Sequence, residues 1–87
     1  MKILKPQEFK RRSPKLKKMT DWVLWQNLLQ CVRHPNQYKN PIETRDRFVH
    51  ELNQREIDVI CRDVKNFQCQ IGGLMKDGKT YHPERQW

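Results

Sequence analysis

Six cations crowd into nine residues near the start of this chain: Lys10, Arg11, Arg12, Lys15, Lys17 and Lys18, in the run Lys10-Arg11-Arg12-Ser13-Pro14-Lys15-Leu16-Lys17-Lys18. Ammonium and guanidinium groups at this density suit phosphate, because each ion pair made with a polyanion releases condensed counterions and makes binding depend on salt. The same run reads as a nuclear-localisation cluster with a Ser13-Pro14 phosphorylation motif. Other chemistry is sparser. Cys31-x-x-His34 has the spacing of a metal half-site, but Cys61, Cys69 and His82 are too widely separated to form the second tight pair of a structural zinc site. His50-Glu51 and His82 with Glu84 are the acid-base neighbours, and the sequence has neither a Gly-rich phosphate loop nor a nucleophile elbow. The expectation is a binding protein that is not an enzyme and carries no metal or cofactor.

Charge divides the chain. The net charge is +8 over 87 residues. Residues 1–18 hold eight basic side chains against Glu8 alone, a balance of +7, whereas residues 19–87 hold ten basic and nine acidic ones and are near neutral. With Pro6 and Pro14 in it, the first segment is expected to be a flexible basic arm, with Ile3, Leu4, Phe9 and Leu16 available to dock on the body. Residues 19–87 are expected to form one small domain, since a chain of this size buries only about 60% of its unfolded surface and has little room for a deep cleft. Three cysteines cannot all pair within one chain, and Met1 is followed by charge instead of an apolar leader. Both features point to an intracellular location, cytoplasmic or, in a eukaryotic host, nuclear. No run approaches the roughly 18–20 apolar residues of a membrane span, so no membrane association is expected.

The elements that must position these groups are mostly helical. Thr20 or Asp21 caps a helix running to about Arg33, whose Trp22, Trp25, Leu29 and Val32 lie on one face, widened by Val23, Leu24 and Leu28 into a core element. Asn40-Pro41-Ile42-Glu43 is a capping box with Pro at the first helical position, opening a second helix of residues 41–52. Its outward side carries Arg45, Asp46, Arg47 and Glu51, with an Arg47–Glu51 pair expected at i, i+4. Asn53-Gln54-Arg55-Glu56 repeats the box, and Ile57, Ile60, Cys61 and Val64 follow at i, i+3, i+4, i+7, predicting a third helix over residues 54–66. Phe67, Cys69 and Ile71 then alternate as a strand that Gly72-Gly73 breaks or bulges, and Asp77-Gly78 centres a hairpin flanked by Lys76 and Lys79.

Two helices meeting at a corner near Leu52-Asn53, followed by a hairpin, predict a mainly α domain with a small C-terminal β-hairpin, of helix-turn-helix or winged-helix type. The hairpin run Lys76-Asp77-Gly78-Lys79-Thr80-Tyr81 resembles, over six residues, the wing of small phage excisionases. Phe48-Val49-His50-Glu51 echoes the segment around one catalytic His of pancreatic ribonucleases, whose disulfide framework and other catalytic positions have no counterpart. The functional expectation is a small, regulatory nucleic-acid-binding protein, with DNA ahead of RNA. Phosphate contacts would come from the six cations of the arm, from Arg55, Arg62 and Lys65 on the third helix with Gln54 at its tip, and from Lys76 and Lys79 on the wing. The alternative is a protein-binding inhibitor or adaptor of a larger nucleic-acid machine, docking through the helical body. Exposed aromatic anchors would favour it.

Overall fold

A computed structural model describes residues 2–61, 71–75 and 79–81. The elements are β1 (Lys2–Ile3), α1 (Pro14–Lys17), α2 (Asp21–Arg33), a 3-10 turn at Pro35–Gln37, α3 (Pro41–Gln54), β2 (Ile57–Cys61) and β3 (Ile71–Met75). It is a small, mainly helical domain in which α2 packs on α3 and α3 packs on β2 of an antiparallel sheet of order β1-β2-β3. Among the described residues no helix is long and apolar enough to cross a membrane.

Local chemistry starts and stops the helices as the caps require. Thr20 Oγ1 accepts the Val23 N–H at 3.3 Å and opens α2. Asn40 Oδ1 accepts the Glu43 N–H at 3.3 Å, while the Glu43 carboxylate reaches the Asn40 side-chain amide at 3.2 Å, so the box closes through side chains. The buried stripe of α2 is Leu24, Trp25, Leu28, Cys31 and Val32, centred on Leu28. That centre leaves Trp22 and Val23 at its edge, 37% and 39% exposed, although both were expected to face inward. Phe48, Val49 and Leu52 of α3, Ile57 and Val59 of β2, and Leu16 and Tyr81 complete the core.

The third helix does not form where the spacing predicted it. Helix α3 runs past Leu52 to Gln54, Arg55 caps it, and Glu56 at φ 63° turns the chain out in the left-handed region. The second capping-box motif thus lies at a helix end. Residues Ile57–Cys61 are a strand because three of the five are β-branched and the period-two pattern also fits, burying Ile57 and Val59 and leaving Asp58 and Ile60 half-exposed. A helix-turn-helix corner at Leu52-Asn53 is therefore absent, and with it the reading helix of that motif. Residues 62–70 lie outside the described residues.

Gly72-Gly73 also behaves differently from expectation. These residues sit inside β3, opposite Ile60 and Val59 of β2. The Gly73 carbonyl accepts the Tyr81 N–H at 3.0 Å, which brings the chain back alongside β3. A Cβ at Gly73 would lie 2.8 Å from Tyr81 Cδ2 and 2.9 Å from its Cβ, so glycine here makes room for an aromatic residue that packs edge-on to Trp25 at 5.4 Å. The Asp77-Gly78 turn itself falls outside the described residues.

Candidate nucleic-acid interface

The basic segment touches the body at several points. At its start, β1 pairs with β2 and the Leu4 N–H donates to the Val59 carbonyl at 2.7 Å. Farther on, Phe9 packs edge-on against His50 at 5.4 Å, and the Arg47 guanidinium lies over the Phe9 ring at 4.6 Å. Leu16 of α1 enters the core. Such anchoring was legible only as four apolar residues scattered among lysines.

Two arginines expected to touch phosphate hold this segment in place. Arg12 grips Glu51 with both arms of its guanidinium, Nε to Oε2 at 2.9 Å and Nη2 to Oε1 at 2.8 Å. Glu51 is only 2% exposed, so the expected solvent-facing pair with Arg47 gives way to a buried pair across 39 residues. Arg47 bonds Glu43 instead, at 3.1 Å. Arg55 donates from Nη1 to Asp21 Oδ1 and from Nη2 to the carbonyls of Leu16, Lys17 and Met19 at 3.1, 3.3 and 2.7 Å. Its guanidinium also approaches Glu51 at 4.0 Å. Arg55 thus clamps the segment to the body. Asp46, likewise expected outside, is buried against Arg45.

With Arg12 and Arg55 engaged, the remaining cations of the run stand together. Lys10, Arg11, Lys15, Lys17 and Lys18 are exposed, and no acidic side chain among the described residues pairs with them. Lys15 and Lys17 project from α1, whose first helical residue is Pro14 and whose Leu16 points inward. The result is a cationic ridge of fixed backbone. Gln54 is exposed but ends α3, far from the helix start at which it was expected to read bases. Lys79 is exposed near the sheet, while Arg62, Lys65 and Lys76 lie outside the described residues.

Beside the ridge, residues 9–13 and α3 border a shallow, partly open cleft. Its polar lining comprises Arg11, Ser13, Arg47, His50 and the Arg12–Glu51 pair, with Phe9 as a wall. A His and an Arg one turn apart in α3 are the sign of this cleft legible in the sequence.

The Cys31-x-x-His34 half-site is divided between interior and surface. Cys31 is fully buried and its thiol donates to the Pro41 carbonyl at 3.4 Å, while His34 is exposed. Burial pushes the Cys31 thiol above its ordinary value, against a smaller opposing effect of Arg45. Burial, then the neighbouring Cys31, also raises the Tyr38 phenol. Neither group faces the ridge or the cleft. Comparison with protein-family models, curated proteins and solved structures returns no match at significance.

Proposed function

We propose that this chain is a small nucleic-acid-binding protein whose phosphate-contacting surface is the ridge of Lys10, Arg11, Lys15, Lys17 and Lys18, with duplex DNA the first partner to test and RNA the second. The observation that carries the reading is the lack of acidic partners, among the described residues, for five clustered cations in a segment that Arg12 and Arg55 fix to the body. A solvated face of a stable domain normally mixes signs, and like charges held this close repel each other. Nucleic-acid phosphate relieves that repulsion and releases counterions. The ridge carries no base-reading helix, so it supplies affinity without sequence preference.

Fluorescence anisotropy with labelled duplex DNA, single-stranded DNA and RNA over a salt series tests this. Lys15→Gln, Lys17→Gln and Lys18→Gln alter exposed side chains and leave the anchors intact. Each is expected to weaken binding evenly across sequences and to lower the salt slope by about 1. Absence of binding by the unaltered protein at low salt would overturn the reading.

A second reading has one observation in its favour. Trp22 and Val23 lie side by side and exposed on the first turn of α2, as an aromatic anchor for a protein partner would. Trp22→Ala separates the two: it leaves nucleic-acid affinity unchanged if the pair serves a protein, whose capture must then survive nuclease treatment.

A further inference from the structure

We propose that the cleft between residues 9–13 and α3 seats a single phosphodiester group of the bound nucleic acid. This inference rests on the nucleic-acid reading and deepens it by separating one shared phosphate site from the open ridge. Four side chains of the lining suit an anion. Arg11 has no acidic partner among the described residues. Arg47 is held over the Phe9 ring at 4.6 Å, and its ion pair with Glu43 joins two half-exposed groups, which makes it a weak competitor for a phosphate. Ser13 precedes α1 without its side chain capping that helix, so its hydroxyl remains available to donate. His50 offers a ring N–H from α3, its ring packed against Phe9.

Glu51 is the group that would repel an anion here. Its two carboxylate oxygens are taken up by Arg12, which screens the charge at the cleft. The cleft is shallow and partly open, so it meets a phosphoryl group at the surface and does not enclose a whole nucleotide. Because Arg11 belongs to both the ridge and the cleft, a backbone lying along the ridge can place a phosphate in this seat.

The salt dependence of binding distinguishes a shared seat from two independent contacts. In the full chain, Arg11→Ala with Arg47→Ala should lower the slope by about 0.9, since both cations face one phosphate, whereas Lys15→Ala with Lys17→Ala should lower it by about 1.8. Arg11→Glu reports on the seat without disturbing the Phe9 contact, and should weaken binding more than Lys10→Glu. Glu43→Gln frees Arg47 and should tighten binding. An unchanged slope in the Arg11/Arg47 double variant, or a drop as large as that of the lysine pair, overturns the shared seat while leaving the ridge reading standing. If the unaltered protein binds no nucleic acid, both fail. In that case, a titration with inorganic phosphate that shifts the NMR signals of Arg11, Ser13, Arg47 and His50 would reassign the cleft to free phosphate.

Discussion

Glu51 decides how the basic segment is held. A carboxylate that is 2% exposed would be strongly disfavoured alone, and it is tolerated because Arg12 meets both oxygens and Arg55 stands at 4.0 Å. Removing one partner of a buried pair costs about 3–5 kcal/mol, less where the partner is partly solvated. Arg12 is 35% exposed, so Arg12→Ala is expected to lower the unfolding free energy by about 2–3 kcal/mol in urea titrations, and Arg12→Ala with Glu51→Leu to recover much of it. A loss no larger than that of Lys10→Ala would show the pair to be dispensable. The sequence concealed this because Glu51 looks like any helical glutamate. Its position three residues after Phe48 and four before Arg55 puts it at the margin of the apolar stripe, but no pattern within α3 points to a partner 39 residues earlier. The cations themselves were legible, and the partners of Arg12 and Arg55 within the fold were not.

The sheet turns on competing periodicities. Ile57, Val59, Ile60 and Cys61 satisfy a helical template and a strand template over five residues, and only the longer context separates them. Glu56 in the left-handed region ends α3, and β1 and β3 offer hydrogen bonds on both sides of β2, so the strand wins. The helix boundaries at Asn40 and Thr20 were readable because caps act locally, whereas strand pairing depends on segments that the sequence places far apart. Gly73 shows the same limit. It reads as a break or bulge, yet it serves a cross-strand contact with Tyr81. Gly73→Ala is expected to destabilise the protein by about 1–3 kcal/mol in thermal or urea melts, since the new methyl meets the fixed part of the Tyr81 side chain. In a Tyr81→Ala background the same substitution should cost much less, and equal costs in both backgrounds would argue against that contact.

At the scale of the molecule, the buried thiol of Cys31 lies outside the lining of the cleft. Cys31 is buried in the core beside α3, and its pKa is raised by that burial. Sign follows from linkage: the unfolded thiol ionises from its ordinary 9.0 while the folded one stays protonated. The stability that Cys31 contributes is therefore complete below about pH 9 and is lost as pH rises through the folded pKa. Urea titrations between neutral and strongly alkaline pH should show Cys31→Ala losing less stability over that range than the unaltered protein. Parallel pH profiles would refute this. The division into an arm and a body was drawn from charge alone, and one buried leucine, one strand pair and two arginines attach the segment to that body.

The Arg55 clamp has a consequence for how this surface can change. Three of its four acceptors are main-chain carbonyls, those of Leu16, Lys17 and Met19, which any residue type supplies. The anchor reads the path of the backbone and is indifferent to the side chains at Lys17 and Lys18. Charge on the ridge can accordingly be added, removed or masked by modification without loosening the attachment, so that strength of binding and integrity of the fold are separately adjustable in this small domain.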